Sequence, residues 1–168
     1  MSRTDLPDPV AELPNRNAGR YLRTILGAVD GPDDEVRPSH IADRLDVTPA
    51  SVTEMTRRLE ADGYVDHEPY GGISLTRKGA LMARHLQWRQ CVLTQFFEDS
   101  LSVSLPSTAS YEASFALPAG ALDEAREHVG LDCEDRCDER VWGQDCLDEA
   151  DIRAPLGDSG VVSEAGES

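Results

Sequence analysis

Residues 37–76 constrain the fold more than any other stretch, because their apolar spacing and their helix punctuation agree. Ile41, Ala42 and Leu45 mark the inner side of a short helix expected over residues 39–45, and Asp46-Val47 form the turn after it. Thr48 is placed to N-cap a second helix, with Pro49 at the first helical position, where a missing N–H costs little. Val52, Met55 and Leu59 lie three and four residues apart and give that helix one core face; it is expected to run to about residue 62, where Gly63 suits a left-handed cap. Residues 64–68 and 72–75 then read as two short strands around the turn Pro69-Tyr70-Gly71.

The flanks extend this layout. Residues 1–15, with Pro7, Pro9 and Pro14, read as a disordered arm, and a helix is expected over residues 17–29 with Tyr21, Leu22, Ile25, Leu26 and Val29 on one face. Thr76 is placed to cap a long helix over residues 77–101, and further helices are expected over 109–117 and 118–129. The fold class expected is mainly α: a winged helix-turn-helix over 16–76, a helical dimerisation domain over 77–129, and an acidic, Cys-bearing, partly disordered tail over 130–168. The far end of the long helix is too apolar to serve only the small N-terminal unit, so Trp88, Val92, Phe96 and Phe97 are expected to form a homodimer core.

Helix, turn, Pro-started helix, Gly stop and wing form the order that places one helix in a DNA major groove. The residues left facing outward are Thr48, Ala50, Ser51, Thr53, Glu54, Arg57 and Arg58. Ser and Thr hydroxyls bond bases or phosphate, and a Glu accepts from cytosine N4. Arg57, Arg58, Arg77 and Lys78 suit phosphate contacts that set position without reading sequence, and the wing turn at Tyr70 and Gly71 suits the backbone or minor groove. Double-stranded operator DNA is thus the expected partner. A winged helix that only dimerises with related regulators is the alternative. No nucleophile–base pair, phosphate loop or paired carboxylates stand in context, so no enzyme is expected.

Charge qualifies this reading. The chain of 168 residues carries a net charge of -16, with 32 acidic residues, 15 Arg and a single Lys. Such a balance suits solubility in concentrated salt and argues against general coating of nucleic acid. The acid is uneven, however: residues 16–97 balance to zero, whereas residues 98–168 carry -14. No secretory leader or membrane-length apolar run is read in the sequence, and a cytoplasmic, halophilic protein without membrane contact is expected.

The strings YLRTIL, IADRLDVTPASVTEMTRRLEADGYV and YGGISLTRKG resemble the metal-dependent repressors of the diphtheria toxin repressor and manganese-transport regulator type, over about residues 18–80 and more weakly to about 125. The resemblance implies a homodimeric winged-helix protein that binds palindromic operators when Fe(II) or Mn(II) fills sites between the DNA-binding and dimerisation helices. It also implies that Thr48, Ala50, Ser51 and Glu54 face the operator. The ligand positions it carries over fall on Arg20, Arg23, Gln90, Thr94, Ser114, Leu117 and Pro118. Leu and Pro cannot coordinate a metal and Arg repels one, so the usual metal site is expected to be absent.

A sensor elsewhere would use the tail. His128, Cys133, Cys137 and Cys146 offer imidazole and thiolates suited to a transition metal such as Fe, Mn or Zn, although their spacing matches no standard knuckle. A redox pair, or incidental reduced thiols, fits the same residues.

Overall fold

The computed structural model describes residues 8–29 and 33–131. Its elements are a 3-10 turn Pro9–Glu12, α1 Arg16–Leu26, α2 Pro38–Leu45, α3 Pro49–Ala61, β1 Val65–His67, β2 Ile73–Leu75, α4 Arg77–Leu101, α5 Ser107–Ala116 and α6 Ala119–Val129.

Local chemistry explains most of the boundaries. Asn15 caps α1 by accepting from Ala18 N, Thr48 caps α3 by accepting from Ser51 N, and Thr76 caps α4 by accepting from Gly79 N. Asp46 ends α2 in the left-handed conformation at φ 53°, and Gly63 follows α3 at φ 78°. Thr76 also donates its hydroxyl to Gly63 O at 2.6 Å, which ties the start of α4 to the end of α3. Gly79 completes that joint: a Cβ there would collide with the Tyr64 carbonyl, so α4 can lie against the wing only with glycine at this position.

β1 and β2 pair antiparallel, with Val65 opposite Leu75 and His67 opposite Ile73. An isolated β-bridge adds Val36 to them; it exchanges two backbone hydrogen bonds with Ile73 at 2.8 and 2.9 Å. Gly72 permits that approach, since a Cβ on it would press on the Val36 backbone. Both strands of the hairpin are therefore shorter than expected, and the Val36 bridge extends the pairing at Ile73, beside the turn.

The main core joins α1, α2, α3, the wing and the first half of α4, around Leu22, Ile25, Ile41, Val52, Leu59 and Met82. It corrects the expectation of a disordered arm at residues 8–13. Asp8 caps the 3-10 turn, and Val10 and Leu13 are buried in the core. A second cluster places Trp88, Val92 and Leu93 of α4 against Leu122 of α6 and Leu131.

That cluster corrects two expected dimer residues. Trp88 and Val92 are buried inside the protomer, because α6 folds back along α4 and covers them. Phe97 packs on the same cluster, and half-buried Phe96 lies 5.8 Å from the His128 ring. The large apolar side chains exposed near the end of α4 are instead Leu101 and Val103.

Candidate nucleic-acid interface

The fold aims α3 outward. Val52, Thr56 and Leu59 face the core with half-buried Met55, so Ala50, Ser51, Thr53, Glu54, Arg57 and Arg58 stand on the exposed side. Its N-terminal turn is tightly held: Thr48 Oγ1 and Ser51 Oγ are 2.9 Å apart, and Thr53 donates its hydroxyl to Pro49 O at 3.1 Å. The Ser51 and Thr48 hydroxyls stay exposed and can reorient to a new partner, whereas the Thr53 hydrogen is already used. Among the described residues, Glu54, Arg57 and Arg58 make no ion pair, so these charges are free for an external partner.

A cleft of about 260 Å³ opens between α1 and α3. Asn17 and Arg20 of α1 face Ser51, Glu54 and Arg58 of α3 across it, over a floor that includes Leu45, Val47 and Met55. Two guanidiniums and one carboxylate at the rim of a groove suit a phosphate next to a hydrogen-bond-donating base edge. Arg20 is the residue here that sequence reasoning had placed elsewhere, at a repelling metal position. The signal available was its spacing, one turn from Arg16 and Asn17 on the exposed side of α1.

The wing tip is open. Tyr70 is fully exposed at φ 70°, a left-handed position unusual for a bulky residue, and Gly71 beside it is exposed. Arg77 is exposed at the first turn of α4. Lys78 is different, because its ammonium already has partners within the protein. Its ammonium donates to Asp62 O at 3.1 Å, lies 4.0 Å from the Glu12 carboxylate and sits 4.6 Å over the Tyr64 ring. Burial, with Glu12 and Asp62 nearby, pushes the Tyr64 phenol up to about 12, so it stays neutral under the ammonium.

The carried-over metal positions do not assemble a metal centre. Arg23 donates from Nε and Nη2 to Gln87 Oε1 at 3.1 and 2.6 Å and stacks 5.2 Å from the centre of the Tyr111 ring. Gln90 donates from Nε2 to Ser107 O, Ser107 Oγ and Ser110 Oγ at 2.9–3.1 Å. Ser114 donates its hydroxyl to Tyr111 O at 2.9 Å, and Leu117 and Pro118 carry no donor atom. The oxygen left over, Gln90 Oε1, is a buried neutral amide without a partner. Among the described residues no group of three or more His, Cys, Asp or Glu is gathered to hold a metal ion. His128 is exposed in the last turn of α6, and Cys133, Cys137 and Cys146 lie outside the described residues.

At the same junction the structure buries a charge that sequence reasoning missed. Arg89 is fully buried on α4. It donates from Nε to Ser114 O at 3.1 Å, from Nη2 to Ser114 O at 2.8 Å, and again from Nη2 to Phe115 O and Leu117 O. Its Nη1 donates to both Asp8 oxygens at 3.0 and 3.2 Å. His85, stacked on Trp88, places Nε2 3.8 Å from Asp8 Oδ1. Burial opposes ionisation of Asp8, but His85, Arg89 and the Val10 N–H outweigh it and hold the carboxyl down at about 2. The spacing Met82, Leu86, Arg89, Leu93 puts Arg89 on the inner face of α4, and that was the signal available for it.

Residues 15–73 match the family model described as iron dependent repressor, N-terminal DNA binding domain. The regulator MntR of Oceanobacillus iheyensis is 36% identical over 86 residues, covering 51% of this chain and 58% of the relative. The MntR of Lysinibacillus sphaericus is 45% identical over 60 residues, covering 36% and 43%. This chain thus spans about half the length of the curated relatives it matches. Among solved structures, a manganese-dependent transcriptional repressor in complex with manganese aligns over 74% of this chain and 57% of its own, at TM-score 0.63 and 22% identity. A Sulfolobus solfataricus protein, SSo2273, aligns over 76% and 98%, at TM-score 0.56 and 20% identity.

Proposed function

We infer that this chain belongs to the metal-dependent repressor family, on the match of its residues 15–73, and that it is a sequence-specific transcription regulator that binds operator DNA as a homodimer. The observation that carries this reading is the outer face of α3. Its N-terminus is fixed by Thr48 and Pro49, and it presents Ser51, Glu54, Arg57 and Arg58 with no ion pair among the described residues. α3 enters the major groove with Ala50, Ser51 and Glu54 at base edges. Arg57, Arg58, Arg77 and Arg20 meet phosphates, and Tyr70 and Gly71 approach the flanking backbone.

The homodimer forms through the far end of α4, where Phe96 is half-buried and Leu101 and Val103 are exposed. Sedimentation of Leu101→Glu with Val103→Glu tests it, and an unchanged molecular mass removes this face from the interface. Among the described residues no helix is long and apolar enough to cross a membrane. We place the protein in a salt-rich cytoplasm on its charge of -16. A transition metal, Fe, Mn or Zn, belongs to the tail if the chain holds one, on His128, Cys133, Cys137 and Cys146. Metal analysis of anaerobically purified protein against Cys133→Ser tests that assignment.

Selection of duplexes from a random library in concentrated KCl tests the function itself. Recovery of an inverted repeat supports the reading, and Glu54→Ala is expected to change the base preference within each half-site. Recovery of no common sequence refutes it.

A further inference from the structure

We infer that Arg89 is a built-in cation at the junction of the DNA-binding half and the helical half, and that it makes duplex binding independent of any divalent metal there. The inference rests on the DNA-binding reading above. Its geometry stands apart from that reading.

A bound metal orders separate chain segments by collecting their oxygens around one positive charge. The Arg89 guanidinium does this from within the fold. It gathers the Asp8 carboxylate, which precedes α1, and the carbonyl oxygens of Ser114, Phe115 and Leu117, at the end of α5 and just beyond it. Those carbonyls carry the negative partial charge of a helix C-terminus, so the buried cation meets complementary charge on two sides. Two of the three, Ser114 and Leu117, are positions where the resemblance places metal ligands. Their backbone oxygens serve the guanidinium, while their side chains offer no carboxylate, imidazole or thiolate.

The surrounding bonds close the same joint without metal. Tyr111 donates its hydroxyl to Arg16 O at 2.7 Å, Arg23 holds Gln87, and Gln90 holds the first turn of α5. Asp8 in turn leads into the 3-10 turn whose Val10, with Leu13 after it, packs in the core shared with α1. The pull of Arg89 therefore reaches the DNA-binding half through the chain itself. A divalent ion entering here would meet the Arg89 charge, with Arg23 on the adjoining helix, and would be repelled. A guanidinium also stays charged across the physiological range, so the joint stays closed where a metal could leave.

The test uses the full chain carrying Cys133→Ser, Cys137→Ser and Cys146→Ser, which removes any metal effect from the tail thiols. Affinity for a labelled duplex selected by the wild-type protein is measured by fluorescence anisotropy in EDTA, and again with saturating Mn(II), Fe(II) or Zn(II). The Kd is expected to change by less than about twofold, and the melting temperature to stay put. A tightening of about tenfold, or a saturable rise in melting temperature with metal, overturns the inference.

Arg89→Met in the same background is expected to weaken binding by about fivefold or more, with and without metal alike. If that variant does not fold, Asp8→Asn, which removes one arm of the contact at a partly exposed residue, is expected to weaken binding in the same metal-blind manner. Wild-type affinity in the folded variant contradicts the role of Arg89. Failure of the wild-type protein to select any duplex sinks the DNA-binding reading instead, and the melting measurement still decides the metal question.

Discussion

Asp8→Asn isolates the charge of the buried contact. Asparagine keeps the oxygen that caps the 3-10 turn at Val10 N and the shape of the side chain, so the change removes mainly a negative charge beside Arg89. The native carboxyl titrates at about 2 against an ordinary value of 3.8, which corresponds to about 2 kcal/mol of folding stability near neutral pH. Because the folded value is depressed, this stability is fully present above about pH 5, falls to about half by pH 3, and is lost as pH drops through about 2. The charges facing Asp8 are Arg89 and, when protonated, His85. Arg89 is fully buried, so concentrated salt screens the pair weakly. Urea unfolding of wild type and variant in molar KCl is expected to differ by about 2 kcal/mol at neutral pH and by about half of that near pH 3. A difference that stays constant across this range refutes the reasoning, because a packing defect would not titrate.

Other perturbations probe the joints and the DNA face. Gly79→Ala forces a methyl group against the Tyr64 carbonyl and is expected to destabilise the fold by about 3 kcal/mol or to prevent accumulation of soluble protein; wild-type melting would contradict it. Thr76→Ala removes both the cap of α4 and the bond to Gly63 O and is expected to cost about 1–2 kcal/mol by urea unfolding. Arg58→Ala and Arg20→Gln are each expected to lower the slope of log affinity against log salt by about one without altering base preference. Lys78→Gln, whose ammonium is already held by the protein, is expected to leave that slope unchanged while lowering the melting temperature.

The elements written in local chemistry were legible from the chain alone. Thr48 with Pro49, the apolar spacing of Val52 and Leu59, Gly63, and Thr76 before a long helical run each act within a few residues, and α3 and α4 start where those signals stand. That Leu117 and Pro118 offer a metal no side-chain donor was legible in the same direct way, since residue type alone decides it. What escaped was set by distant partners. Val36 bridges to the hairpin only because Ile73 offers it two hydrogen bonds, and no single residue announces that. Asp8 to Leu13 read as a polar, Pro-rich arm, yet Val10 and Leu13 find a core built by helices that follow. Trp88 and Val92 looked like a face awaiting a second copy. The return of α6 along α4 covers them within one protomer, a long-range event that helical periodicity does not encode. Arg89 carried a usable sign in its spacing with Leu86 and Leu93, but an arginine on an inner face declares itself only when its carbonyl and carboxylate partners are found 25 and 81 residues away.

In the proposed reading, a DNA-binding face is held ready by the protein's own charge. Duplex selection with the triple Cys→Ser chain in molar KCl and EDTA tests this most directly, since it supplies DNA and withholds metal. Enrichment of one inverted repeat without metal, with the same repeat recovered when Mn(II) is added, is the result the account predicts. Enrichment only with Mn(II), or none under either condition, would contradict it.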